Sequence, residues 1–275
     1  MILANYKYHY YLRGIPNRPL IIFLHGFMGN CHEFEEAIQL LERDFNCLVI
    51  DLPGHGQTQI LGSDECYQMT NTALSLINLL DYLKISKGLL VGYSMGGRLA
   101  LYLALHFHHR FTKVVLESAS PGLPTEVKRL ERVKHDEQIA RKLNRIVEES
   151  DWISFLSTWY SQSIFGNIKN HPQFQQLIEI RLKNNPKELA KSLRMMGTGF
   201  QPSLWEKLQD NTIPLLLLAG EYDEKFIDIN TEMVNICKLS QLKVIRNAGH
   251  NIHFENTVAF VENIRQFFLE AKSMK

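Results

Sequence analysis

Leu89-Leu-Val-Gly-Tyr-Ser-Met-Gly-Gly97 decides how the rest of the chain is read. A short apolar run ends in Gly92-Tyr93-Ser94-Met95-Gly96, a G-x-S-x-G sequence, and a helix-like stretch with apolar spacings of three and four follows at residues 98–107. A strand that turns sharply into a helix needs small residues around the turn, so that a serine can sit in strained geometry with its oxygen exposed. The blander reading is a tight strand-to-helix turn with a capping serine. The flanking strand and helix favour the elbow.

Similar strand-and-turn units surround it. Leu20-Ile-Ile-Phe-Leu24 runs into His25-Gly26-Phe27, Cys47-Leu-Val-Ile50 into Asp51-Leu-Pro-Gly-His-Gly56, and Val114-Val-Leu116 into Glu117-Ser-Ala-Ser120. None alternates with period two, which suits strands covered on both faces, as in a parallel sheet. Helix-like segments at residues 33–43 and 67–83 lie between them, the rhythm of a mostly parallel, doubly wound α/β sheet. The rhythm stops after Ser120. Residues 122–208 hold only amphipathic helical pieces, punctuated at Pro172, Pro186 and Gly197. Strand signals return at Ile213-Pro-Leu-Leu-Leu-Leu-Ala219 and Leu242-Lys-Val-Ile245, before a last helix at residues 258–269. The expected organisation is an α/β core of residues 1–121 and 210–275, with a helical cap of residues 122–209 inserted between two late strands.

Composition narrows the function classes. The chain has 275 residues, 45% apolar and 21% charged, which excludes a disordered chain. Apolar runs such as those at Leu20 and Leu215 are five residues long, against the roughly 20 needed to span a bilayer. Residues 1–11 carry no apolar h-region, so no signal peptide is expected. Cys31, Cys47, Cys66 and Cys237 lack CxxC or zinc spacing and read as reduced thiols of a cytoplasmic protein. A net charge of +1 gives no drive toward nucleic acid or anionic membrane. Residues 122–199, however, hold 13 Lys+Arg against 9 Asp+Glu, so the cap is more basic than its flanks and suits an anionic ligand or a solvated basic face.

An activated serine needs a base, and the base an orienting acid, in the order Ser…Asp/Glu…His on this kind of sheet. His250 follows the strand at residues 242–245 and precedes the last helix, where a loop at the carboxyl edge would carry it; His253 is the rival and reads as a helix-entry residue. The acid lies in Gly220-Glu-Tyr-Asp-Glu224, with Asp223 preferred over Glu221 and the later Asp228. Backbone amides of Phe27 and Met95 are the candidate oxyanion donors. His25 and the loop from Asp51 to Gly56 read as structural. His106, His108 and His109 sit at a helix end beside Arg110 without a carboxylate or cysteine at ligand spacing, so they read as a C-terminal cap. No G-x-G-x-x-G follows a strand. Neither metal nor organic cofactor is expected.

Together these motifs resemble the α/β-hydrolase superfamily, and within it one family more narrowly. Leu24-His-Gly-Phe27, Asp51-Leu-Pro-Gly-His-Gly56, Val91-Gly-Tyr-Ser-Met-Gly-Gly-Arg98, Gly220-Glu-Tyr-Asp-Glu-Lys-Phe226 and Ala248-Gly-His-Asn-Ile-His-Phe-Glu-Asn256 are similar to the 2-succinyl-6-hydroxy-2,4-cyclohexadiene-1-carboxylate synthases of menaquinone and phylloquinone biosynthesis. The resemblance runs from Leu20 to Phe268 and is weakest in the cap. It implies an α/β-hydrolase fold and a lyase that eliminates pyruvate from an enolpyruvyl cyclohexene tricarboxylate, with Ser94, His250 and Asp223 acting as a base. It implies that Arg98, Arg132 and Arg181 bind the carboxylates, through a planar fork that stays charged. Tyr93 and Trp159 are implied as pocket residues. The family often reads Arg-Ser-Asn-Asn where this chain has Arg181-Leu-Lys-Asn-Asn185.

Rival readings on the same fold are a carboxylesterase or thioesterase, a C–C bond hydrolase, and a non-catalytic binding protein. The intact serine, acid and histidine set argues against the last. The arginines argue against a lipid esterase. The expected partner is the small anionic substrate, with no nucleic acid and no membrane insertion, and the chain is expected as a monomer or weak homodimer.

Overall fold

The computed structural model describes residues 1–270. Seven strands make the central sheet: β1 Tyr10–Gly14, β2 Leu20–Leu24, β3 Asn46–Ile50, β4 Gly88–Tyr93, β5 Phe111–Glu117, β6 Leu215–Gly220 and β7 Ser240–Ile245. Their order across the sheet is β7-β6-β5-β4-β2-β3-β1, parallel throughout except for β1, which runs antiparallel along β3. β1 escaped the sequence reading because an edge strand with one wet face has no continuous apolar run; Leu12 is exposed. A small three-stranded sheet of Ile2–Leu3, Tyr6–Lys7 and Gln59–Ile60 escaped it too, its strands being two residues long.

Successive residues of the central strands are buried against different layers. Ile22 and Leu24 pack toward helices α2 (Met69–Tyr82) and α3 (Met95–His106), whereas Ile21 and Phe23 pack toward α1 (Glu35–Leu41). Both faces being dry, the strands read as unbroken apolar runs. Between β5 and β6 stand four helices: α4 Glu126–Asn144, α5 Glu149–Trp159, α6 Phe174–Leu182 and α7 Pro186–Met196. They bury a cluster of their own around Leu143, Trp152, Leu156 and Leu189, into which Met28 of the core reaches. Pro186 opens α7 rather than breaking a helix: Asn185 caps it through the Lys187 amide, and proline at the first position costs no backbone hydrogen bond. After β6 come α8 (Glu224–Ile236), which the sequence reading did not anticipate, then the short α9 (Ile252–Glu255) and α10 (Thr257–Leu269).

The carboxyl end of α6 is stitched to the core. Arg181 pairs with Glu33, both side chains 1% exposed, and its Nε donates to the Tyr160 hydroxyl at 2.8 Å. Glu33 in turn accepts the Gly26 amide at 3.0 Å. Asn184 donates to the Met28 carbonyl at 2.7 Å and accepts the Gly56 amide at 2.8 Å. Burial alone would lower the Arg181 pKa, but Glu33 and Tyr160 outweigh it and hold the guanidinium charged. Breaking such a pair strands a charge, whereas replacing both partners with neutral groups is far cheaper. Arg181→Ala is therefore expected to cost about 3–5 kcal/mol in denaturant unfolding, and Arg181→Met combined with Glu33→Gln to recover most of it. Equal stability of Arg181→Ala and wild type would show that the pair does not hold the cap.

Candidate active site

Ser94 follows the last residue of β4 and stands at the N-terminus of α3, with φ +48° and ψ −106°. Its conformation is one that non-glycine residues rarely adopt, at a cost of about 1–3 kcal/mol. The surroundings enforce it. A β-carbon on Gly92 would lie 2.4 Å from the Gly96 carbonyl oxygen, and one on Gly96 only 2.1 Å from that of Leu24, so β4, β2 and α3 can meet only where side chains are missing. The Ser94 amide is held by the Glu117 carbonyl of β5 at 2.8 Å.

His250 Nε2 lies 3.0 Å from Ser94 Oγ, and His250 Nδ1 lies 2.5 Å from Asp223 Oδ2. Asp223 is fully buried and caps α8, its Oδ1 accepting the Phe226 amide at 3.4 Å. The choice among acids is thus resolved geometrically: Glu221 is exposed and accepts the Asn247 amide, and Asp228 lies along α8. His253 is not the base. It enters α9 with its Nδ1 on the buried Glu117 carboxylate at 2.8 Å. The His250 amide donates to the Ile164 carbonyl at 3.0 Å, which ties the histidine loop to the cap.

A cavity of about 400 Å³ opens over Ser94. Phe27, Tyr93, Met95, Arg98, Arg132, Trp159 and His250 all line it. The Met95 amide is in the first turn of α3, where N–H groups lack intrahelical acceptors, and the Phe27 amide has no acceptor among the described residues. Trp159 packs on Phe27, ring centroids 5.7 Å apart. Arg98 is buried with no carboxylate in ion-pair range among the described residues; Gln201 Oε1 accepts from it at 2.5 Å. Burial, then the like charge of Arg132, pushes its pKa down to about 10. Arg132 shares its charge with Asp136 at 2.6 Å. Lys128 and Lys225 add two cations that the sequence reading missed, with Glu232 the one acid in the lining. Lys225 stands two residues after Asp223, so proximity to the acid was the available signal; for Gln201, 103 residues from Arg98, there was none.

Arg181 is a correction. The resemblance implied a carboxylate ligand, but Arg181 is absent from the cavity lining and its charge is spent on Glu33. His25 and the loop after β3 are hydrogen-bonded within the protein. The Leu52 amide donates to His25 Nε2 at 2.9 Å, leaving Nδ1 to donate to the Gly26 carbonyl. Asp51 accepts the Cys31 and Gln57 amides at 2.6 and 2.8 Å. His9, Cys31 and Asp51 place their ligand atoms within 4.8 Å of one another, the one such metal-sized group among the described residues. With Asp51 also bonded to His9 at 2.8 Å, its oxygens already serve the loop.

Glu255 accepts the Gly249 and Asn251 amides at 3.0 and 3.3 Å, bracketing His250. Burial nevertheless raises its carboxyl from 4.5 to about 7. Between those values the folded chain binds more proton than the unfolded one, so this group's contribution to stability falls as pH rises through the window. His25 and His55, kept neutral by burial, act in the opposite sense below their ordinary 6.5. They cancel when wild type is compared with Glu255→Gln. The urea midpoint of wild type relative to that variant is expected to decline from pH 4.5 to 7, and a pH-independent difference would refute the assignment.

The alpha/beta hydrolase fold family model matches residues 19–257. The 2-succinyl-6-hydroxy-2,4-cyclohexadiene-1-carboxylate synthase of Citrobacter koseri is 35% identical over 257 residues, covering 92% of this chain and 95% of that protein. The chloroplastic protein PHYLLO of Arabidopsis thaliana is 32% identical over 261 residues, which is 90% of this chain but 15% of the plant protein. Among solved structures, MenH from S. aureus superposes with a TM-score of 0.87 at 34% identity, covering 97% of this chain and 98% of that one. With the family model matching residues 19–257 and the synthase of Citrobacter koseri alike over 95% of its own length, the chain belongs to the α/β-hydrolase fold family and, within it, to the 2-succinyl-6-hydroxy-2,4-cyclohexadiene-1-carboxylate synthases.

Proposed function

We propose that this chain is a carbon–oxygen lyase that eliminates pyruvate from 2-succinyl-5-enolpyruvyl-6-hydroxy-3-cyclohexene-1-carboxylate, giving the conjugated cyclohexadiene of menaquinone or phylloquinone biosynthesis. The observation that carries this reading is the join of a Ser-His-Asp relay to a cavity walled by Arg98, Lys128, Arg132 and Lys225. Four cations against Glu232 suit a substrate with three carboxylates better than a neutral acyl chain. An esterase on this fold would need the same relay without that wall.

His250, oriented by Asp223, draws the proton from Ser94, and Ser94 Oγ removes the hydrogen on the ring carbon next to the succinyl ketone. Charge then spreads onto the ketone oxygen, where the Phe27 and Met95 amides receive it. A preorganised donor of this kind is worth about 3–4 kcal/mol in comparable sites. Arg98 and Arg132 hold carboxylates and with them the ring over Ser94, while Tyr93 and Trp159 shape the apolar wall. We assign residues 122–209 as the lid that keeps water from the charged intermediate. No residue of this mechanism calls for a metal or organic cofactor. We place the protein in the cytoplasm on the strength of four free cysteines, and propose a monomer or weak homodimer; no helix of the described residues is long and apolar enough to cross a membrane.

Ser94→Ala, Asp223→Asn and His250→Ala are each expected to lower kcat on the order of 10^4-fold without unfolding the protein, and far from additively in combination. Pyruvate release from the enolpyruvyl precursor is the assay; full activity of Ser94→Ala would sink the relay. Arg98→Ala should lose about 2–5 kcal/mol in kcat/KM on the precursor, with lysine rescuing poorly and a neutral p-nitrophenyl ester little affected. A wild type that hydrolyses the neutral ester far better than it releases pyruvate would favour the esterase.

A further inference from the structure

Ser118 follows the last residue of β5, and the register pairs Tyr93 with Glu117, so Ser118 stands beside Ser94 at the ends of neighbouring strands. Both are left-handed, at φ +47° and +48°. A glycine would sit there unstrained, yet the chain keeps a serine. Its side chain is fully buried, lines the same cavity as Ser94, and its Oγ has no hydrogen-bond partner among the described residues. Backbone strain and an unpaired buried hydroxyl are each unfavourable, and they persist together where a ligand uses them.

The sheet order says which part of the ligand is within reach. β4 lies between β2 and β5, so the Phe27 loop flanks Ser94 on one side and Ser118 on the other. In the proposed elimination the ketone oxygen is held on the Phe27 side. The departing oxygen is bonded to the ring carbon directly across from the one that loses its proton. We infer that the Ser118 hydroxyl donates a hydrogen bond to that departing oxygen as its bond to the ring breaks.

The step balances. The C–H electron pair forms a ring double bond, the existing double bond shifts by one carbon, and the C–O pair leaves on the oxygen of enolpyruvate. The proton taken by Ser94 and His250 returns to that oxygen, and the enol becomes pyruvate. Ser118 gives up no proton in the net reaction; it stabilises charge while the bond is breaking.

The inference rests on the lyase reading, and two variants separate the failures of the two. Ser118→Ala removes the hydroxyl and keeps the backbone strain. Ser118→Gly removes both. Both are expected to lose on the order of tenfold to a hundredfold in kcat for pyruvate release, with KM changed less. Both are expected to melt higher than wild type, and Ser118→Gly to exceed Ser118→Ala by about 2–4 °C because it also relieves the backbone strain. Wild-type pyruvate release with both variants within twofold of it overturns the role of Ser118 and leaves the lyase reading standing. A wild type that releases no pyruvate overturns both, since no departing oxygen then exists.

Discussion

The approach of α3 to the carbonyl oxygens of Leu24 and His25 sets the geometry on which the rest depends. A β-carbon at Gly96 would sit 2.1 and 2.5 Å from those two oxygens, inside any tolerable contact. Because it is missing, the first turn of α3 lies directly against the loop after β2. That brings the Met95 and Phe27 amides to one cavity and turns Ser94 up out of the sheet at positive φ. Neither the relay nor the amide pair survives a shift of α3, since both are referenced to the same turn.

Two arginines that look alike in sequence behave in opposite ways, and the difference is electrostatic. Arg181 has Glu33 and Tyr160 around it; its charge is answered inside the protein and it works as a clamp between cap and core. Arg98 is also buried, on the cavity wall, but meets the neutral Gln201 and the repulsion of Arg132. A buried cation without an internal counter-ion is expensive in the empty protein. That cost becomes affinity once a carboxylate arrives, so the poorer-looking environment is the better binding site. Of the two, Arg181 stands on α6 of the cap and Arg98 on α3 of the core, so position along the chain does not tell clamp from binding residue.

Strain is placed with the same economy. Ser94 and Ser118 both take left-handed conformations at the ends of adjacent strands, and each is held by a carbonyl from the next strand: Ser94 by Glu117, and Ser118 by Leu218 at 2.8 Å. The ladder that stabilises the sheet thus over-determines the two residues that depart from it. Rigid parallel strands are suited to this because their hydrogen bonds are shielded by helical layers on both faces.

Much of the fold and the relay was legible in sequence because it is written in near neighbours. Unbroken apolar runs mark strands covered on both faces, G-x-S-x-G marks a turn that only small residues permit, and the loss of strand signal after Ser120 marks the inserted helices. His250 was found by its place after a late strand. Whatever depended on distant partners was not legible: the edge strand β1 with its wet face, the cations of Lys128 and Lys225, and the orphaned hydroxyl of Ser118. Arg181 shows why most sharply. The family resemblance implied a ligand for substrate, but its fate was decided by Glu33, 148 residues away, which only the packing of cap on core brings to it. Local pattern determines which elements form, because backbone sterics and burial act over a few residues; where a charge ends up is settled by what the finished fold places beside it.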